Sequence, residues 1–437
     1  MKLYDQYRSS IMEMLSIDEE TINVLKGEYE ERSLGSKRKA KLLFVLYIAL
    51  TLVSKLIFGI KGMKQKYNLK GLDFVFISCP DTIFRTKTID VIAHGLKYQV
   101  VYLPTFHIRA ALDYHKFFKK KVDAIFMTFS LDDALYARKV MKKSKLIQDV
   151  KGNCLPEEYY SFWCQIFTYL VYDHFTKRRF GKVKVSKTKW ILEHQKFYFV
   201  PIVHLLKGKE IETVMLQHGS FFKPGFNYFP LYCDKVLCCS EREKEVYVQS
   251  GVAPERVVVF GAPLQSINID GLNKIIDTKY DLLILPTMIN DTNKVIHKNV
   301  LLYVKEQYPQ SKVLVRIRPR SKVDDMAFLN AYLEGFAISE ESTLLTDVLR
   351  AEKVITFSED CTFCLLENKK SFIIVSQDED KESMNGRLAC SDNYKEEIQN
   401  LLSNDYYCTI SKEDKDYLIG ETDSHVLHDR FLNYIGR

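Results

Sequence analysis

The sequence predicts an α/β protein of two doubly wound parallel-sheet domains facing a cleft, preceded by a helical extension. Two observations carry this. From Leu72 onward short apolar runs alternate with helix-length segments, the pattern of strands covered on both faces by helices. A second such series begins near Tyr280, after a polar joint at 268–279. The length of 437 residues fits about two to three domains, and a hydrophobic share of 46% is enough for two cores.

The elements follow in order. Residues 1–32 are polar with scattered apolar positions (Met12, Met14, Leu15, Ile22, Val24, Leu25), as in a surface helix. An apolar stretch, 42–60, lies between basic flanks: Lys37, Arg38, Lys39 and Lys41 before it, Lys61, Lys64, Lys66 and Lys70 after it. Lys55 interrupts it, and a spanning helix normally biases its cations to one side. A helix lying in the membrane interface explains the symmetric charge, a helix packed into a core is the second reading, and a true span is the third. The expected division is 1–70 as helical extension, 71–267 as first domain and 268–437 as second domain with terminal helices.

In the first domain the strands are LDFVFIS (72–78), YQVVYLP (98–104), VDAIFMTF (122–129), the WIL of KWILEHQKF, TVMLQHG, KVLCCS and VVVFGAP, with a long aromatic helix over 154–177. In the second they are YDLLILPT (280–287), KVLVRIRPR (312–320), KVITFSED (353–360) and SFIIVS (371–376). The stretch 393–437 is helical in texture, with fraying expected over 434–437.

The net charge of +7 is modest and its excess is N-terminal. No basic stripe or nucleic-acid module accompanies it, whereas an anionic membrane surface suits it. The ten cysteines lack framework spacing, and no cleavable signal peptide is apparent, as expected of a reducing cytoplasm. Cys361 and Cys364 form a CxxC without a second pair, and Cys238-Cys239 lies in an apolar run, so both read as packed thiols. Asp378-Glu-Asp380 sits in a charge-rich loop and reads as solvated. No metal site and no cofactor are expected.

Ligands of open parallel sheets bind beyond the carboxyl ends of the strands. Each exit here turns from apolar to polar or small: Glu193-His194, Gln217-His218-Gly219-Ser220, Ser240, Gly261-Ala262-Pro263, Pro286-Thr287, Arg316-Ile317-Arg318-Pro319 and Ser358-Glu359-Asp360. Gly219 lets the chain turn sharply, and the His218 imidazole titrates near neutrality, as a general base must. The plain alternative is a histidine satisfied by a neighbouring loop. Arg316 and Arg318, two apart on a strand, would share one face and grip a diphosphate, or simply end a basic strand. Ser358 and Thr362 flank an acidic pair just before a helix, where amides attract phosphate. Glu367, further along that helix, has the reach for ribose hydroxyls or is a solvated glutamate.

These motifs together resemble bacterial surface-polysaccharide transferases of the GT-B fold: capsule polysaccharide transferases, the CDP-glycerol glycerophosphotransferases of teichoic acid synthesis, and bacterial polysialyltransferases. The likeness rests on 190–264, where a strand ends in Gln217-His218-Gly219 and Gly251-Val252, Arg256-Val257 and Gly261-Ala262-Pro263 follow. It departs at Arg318-Pro319, where the family carries His-Pro, and at 358–362, where it carries paired hydroxyls. The resemblance implies a metal-independent glycosyltransferase with a nucleotide-activated donor on the second domain and a glycan or lipid-linked acceptor on the first. It makes His218 the base, with Thr287, Arg316, Arg318, Ser358, Thr362 and Glu367 toward the donor. Glu193, Gln217, Gly219, Ser220, Ser240, Gly261 and Pro263 would line the acceptor side. The enzyme would work in the cytoplasm, peripheral on the membrane through 37–66. Rival readings are transfer of a polyol phosphate from a CDP donor, a GT-B-like nucleotide-sugar epimerase, and a non-catalytic polysaccharide-assembly module.

Overall fold

The computed structural model describes residues 2–31, 71–78, 92–104, 124–182 except 128, 188–192, 199–217, 231–263, 279–286, 293–317, 323–340, 344–357, 370–375, 393–403 and 412–437, with isolated positions between. The joint at 268–279, the Asp378–Asp380 loop and nearly all of 42–60 lie outside them. No helix among the described residues is long and apolar enough to cross a membrane.

Both halves are fully parallel sheets. The first contains β1 (Phe74–Ser78), β2 (Tyr98–Tyr102), β3 (Ala124–Phe126), β4 (Lys189–Leu192), β5 (Thr213–Leu216), β6 (Lys235–Cys238) and β7 (Val257–Val259), in the order β3-β2-β1-β4-β5-β6-β7. The second contains β8 (Tyr280–Leu285), β9 (Val313–Val315), β10 (Ala337–Ile338), β11 (Ala351–Thr356), β12 (Ser371–Val375) and β13 (Cys390–Ser391), in the order β10-β9-β8-β11-β12-β13. Each chain of strands runs outward one way, then returns to the centre and runs the other way. That is the doubly wound order of dinucleotide-binding folds. β10 and β13 are two-residue edge strands that the apolar pattern is too short to reveal.

The strands read as continuous apolar runs because both faces are covered. Along β1, Val75 and Ile77 enter one core while Phe74 and Phe76 enter the other. The first core is closed by α4 (Leu131–Lys143), α5 (Lys145–Asn153) and the 25-residue α6 (Pro156–Phe180). It also takes in α1 (Lys2–Gln6), α2 (Arg8–Leu15) and α3 (Glu19–Glu31), whose Tyr4, Ile11, Ile22 and Leu25 are buried. These helices are therefore not a surface element. Gln165 of α6 clamps them, accepting a hydrogen bond from Tyr4 Oη at 2.6 Å and donating to the carbonyl of Leu25 at 2.5 Å. Among the described residues of the first half, two further α-helices are α7 (Val200–Lys207) and α8 (Glu241–Gln249).

In the second half β8 is flanked by α9 (Lys294–Gln307) and α11 (Leu344–Arg350), with α10 (Val323–Asn330) and α12 (Tyr394–Ser403) beside them. The chain then crosses back. α13 (Lys412–Leu418) still places Leu418 and Ile419 in a second-half core. Two residues later the Glu421 carbonyl accepts the Ala262 amide at 2.7 Å. α14 (Ser424–Ile435) buries Leu427 and Phe431 against Phe74 and Phe260 of the first sheet, at about 1.5–3 kcal/mol per side chain.

α14 does not fray as its sequence suggests. Gly436 closes it in the left-handed conformation at φ 78°, the Lys189 ammonium lies 4.2 Å from the Tyr434 ring centre, and Arg437 pairs with Asp73. The crossing needs two glycines. Gly420 (φ 78°) is held so close to the Cys239 carbonyl that a Cβ has no room, and a Cβ on Gly261 (φ 124°) would run into Leu427 and the Glu421 carbonyl. A cavity of about 360 Å³ lined by Glu241, Val259, Asp416, Tyr417 and Arg430 adjoins the crossing.

Candidate active site

A crevice opens in a doubly wound sheet where the strand order reverses. In the first sheet that point lies between β1 and β4, at the exits of Ser78 and residue 193. In the second it lies between β8 and β11, after Pro286 and after Phe357, whose amide donates to the Leu285 carbonyl at 3.2 Å. Glu193, Thr287 and Ser358, flagged from the sequence, follow these strands directly. They lie outside the described residues, as do His218, Gly219, Ser220, Arg318, Thr362 and Glu367. The structure fixes the strands that lead to them.

The second reversal point holds a residue that the sequence reading missed. His297, in the first turn of α9, is buried, and its ring stacks on Phe357 with centres 3.9 Å apart and planes 17° from parallel. Its Nδ1 lies 2.8 Å from the Asn293 carbonyl. A carbonyl only accepts, so Nδ1 carries the proton and the neutral ring has its lone pair on Nε2. Burial lowers the imidazole pKa from its usual value, outweighing the opposite effect of the carbonyl. The stack thus ties the helix after β8 to the exit of β11 with an uncharged ring. A histidine one helical turn into the segment after a strand exit was the available signal.

Arg316 follows directly on β9, and its amide continues the pairing to the Ile284 carbonyl at 3.0 Å. Its Nη1 donates to Asp347 Oδ2 at 2.6 Å, and Asp347 is fully buried on α11. Ser339 Oγ donates to the same carboxylate oxygen at 2.5 Å. Asp347 Oδ1 is buried and has no hydrogen-bond partner among the described residues. The guanidinium is thereby paired with a buried carboxylate at the strand exit.

In the first half, β5 extends its pairing through the Gln217 amide to the Leu237 carbonyl at 3.0 Å, and the Gln217 side chain is buried. Gln217 is thus a fixed base from which 218–220 emerge. Ser240 caps α8: its hydroxyl accepts the Glu243 amide at 3.4 Å, the preferred N-cap chemistry. Glu243 in turn accepts the Cys239 amide at 3.1 Å. Gly261 and Pro263 are buried under the returning C-terminal segment. Ser240 and Gly261 therefore have structural duties that explain them. The Cys238 and Cys239 thiols are buried, which pushes both pKa values up, as expected of packed thiols.

Among the described residues no group of His, Cys, Asp and Glu could hold a metal ion.

No protein-family model matches the chain, and no curated protein matches it. Solved structures do. UDP-N-acetylglucosamine 2-epimerase from Rickettsia bellii is 12% identical with a TM-score of 0.54, over 83% of this chain and 97% of that one. The Neisseria meningitidis UDP-GlcNAc 2-epimerase bound to UDP-GlcNAc gives 12% and 0.51, over 83% and 98%. The S. aureus MnaA–UDP co-structure gives 10% and 0.50, over 83% and 95%. At these identities the likeness shows the fold: two doubly wound parallel-sheet domains of GT-B type.

Proposed function

We propose that this chain is a nucleotide-sugar enzyme, and within that class a glycosyltransferase that moves a sugar from a nucleotide-activated donor to a growing bacterial surface polysaccharide or lipid-linked glycan. The observation that carries the reading is the pair of reversal points, one per sheet, each flanked by the polar strand exits seen in the sequence. The donor nucleotide binds at Thr287 and Ser358, with Arg318 toward its phosphates and Glu367 toward the ribose. The acceptor lies against the first sheet, where His218, carried on the fixed Gln217, takes the proton of the attacking hydroxyl. Departing phosphate charge is met by Arg318 and main-chain amides without a metal. The basic segment 37–66 brings the enzyme to the cytoplasmic face of the membrane that carries the acceptor.

A second reading is favoured by the structural matches, which are epimerases of UDP-GlcNAc. In that case the same crevice acts on the nucleotide sugar alone.

The test is a thermal-shift panel of UDP, CDP, CMP and GDP with their sugar and polyol conjugates, followed by incubation of the stabilising conjugate without acceptor. A ligand of the folded state raises its apparent stability. Stabilisation by one nucleotide with an unchanged sugar supports transfer. Conversion of UDP-GlcNAc to its C2 epimer makes the chain an epimerase, and a CDP-polyol response makes it a phosphotransferase. No stabilisation of folded protein by any nucleotide overturns the enzyme reading.

A further inference from the structure

The large apolar side chains exposed among the described residues are not scattered. Six of the nine lie on two parts of the chain: Leu42 and Val45 at the start of the apolar stretch, and Leu131, Leu135, Tyr136 and Leu155 on α4 and the turn before α6. Leu131 and Leu135 are 41% and 46% exposed, and Leu155 is 67% exposed. Single exposed leucines are ordinary, but Leu131 and Leu135 stand one turn apart on one helix face.

The outer face of α4 has a second property. Arg138, Lys139, Lys142 and Lys143 are all exposed, and Arg138, Lys139 and Lys142 continue the face begun by Leu131 and Leu135 at the three- and four-residue spacing of a helix surface. Lys145 and Lys151 of α5 are exposed as well, and Asp132, Asp149 and Glu157 are exposed acidic groups on the same stretch of chain. The inner face is locked. Arg178 Nη2 donates to Asp133 at 2.6 Å, His174 Nδ1 lies 2.8 Å from the same carboxylate, and Tyr136 stacks on the His174 ring. α4 is thus a rigid helix whose apolar-basic side faces solvent.

The N-terminal helices converge on this side. Ser144, between α4 and α5, donates to Met14 Sδ at 3.0 Å. Tyr29, near the end of α3, donates to the Glu158 carbonyl at 3.4 Å, three residues past Leu155.

We infer that the outer face of α4 is a docking surface for an anionic lipid bilayer. Leucines enter the headgroup boundary while the flanking lysines meet lipid phosphates, the division of labour of interfacial helices. This contact on the folded domain is separate from the one proposed for 37–66. The inference extends the membrane contact proposed for 37–66 and is independent of the reaction catalysed.

The experiment is flotation of the full chain with phosphatidylcholine vesicles and with vesicles containing equal parts of phosphatidylglycerol, at low and high salt. The wild type is expected to float with the anionic vesicles, less so at high salt. Lys139→Glu/Lys142→Glu/Lys143→Glu is expected to lower the partition at least about tenfold, and Leu131→Gln/Leu135→Gln to lower it as well. All five positions are exposed, so circular dichroism should be unchanged. A parallel variant, Lys37→Glu/Arg38→Glu/Lys39→Glu/Lys41→Glu, separates the two contacts. If only that variant loses binding, the α4 inference is overturned and the contact through 37–66 stands. If the wild type does not float, both are overturned. A dimer in sedimentation velocity that Leu131→Gln/Leu135→Gln abolishes, without vesicle binding, assigns the face to a second copy and likewise overturns the inference.

Discussion

The Arg316 guanidinium lies 2.6 Å from the Asp347 carboxylate, and both side chains are buried beneath the exits of β9 and β10. Breaking a buried pair by removing one partner leaves the other charge uncompensated, at a cost of about 3–5 kcal/mol. Asp347→Asn should therefore lower the urea midpoint sharply. Arg316→Met/Asp347→Leu should recover most of the loss. If Arg316 gripped the donor instead, the double variant would be stable but unable to respond to nucleotide.

His297 makes stability depend on pH in a definite direction. Its folded-state pKa is depressed by burial below the ordinary value of 6.5, so the unfolded chain binds the proton more readily. Its contribution is complete above about 6.5 and is lost as pH falls from there toward the folded value. His297→Phe keeps the stack on Phe357 and removes the titration. Denaturation curves between pH 5 and 7.5 should show a shallower acid loss for this variant, by up to about 1.4 kcal/mol per pH unit. Equal slopes would show that His297 is not the titrating group.

Gly261 and Gly420 each combine a left-handed backbone with a site where a Cβ has no room. Gly261→Ala or Gly420→Ala should destabilise the protein by about 2 kcal/mol or more. The loss should appear at the crossing: limited proteolysis should release a fragment beginning near residue 421 while the second sheet stays resistant.

His218→Ala should reduce turnover at least about a hundredfold, the usual worth of a general base, and leave the nucleotide-induced thermal shift unchanged. A loss of the shift as well would move His218 from acceptor activation to donor binding.

The strands were legible because parallel strands buried on both faces carry long apolar runs: FVFIS and YDLLIL are strands in the structure as in the sequence. The two-domain division of the sheets followed from the same signal. What escaped depends on partners far away in the chain. α1–α3 look like surface helices because their polar residues are many, yet Gln165, some 140 residues on, binds the carbonyl of Leu25. Arg316 looked available because Asp347 is 31 residues further along. His297 carries no motif, and its meaning comes from Phe357. For the candidate site, sequence located the strand exits, and the structure shows the local partners of Arg316, Ser240 and Gly261.

The return of α14 to the first sheet bears on how the molecule is made. Domains of a long chain generally fold as they leave the ribosome, the N-terminal one first. Here the face formed by Phe74, Phe76 and Phe260 takes Leu427 and Phe431 into the core that Ile89 and Ile92 of the first half also enter. The packing of the first sheet is therefore completed only after the whole second sheet has been synthesised.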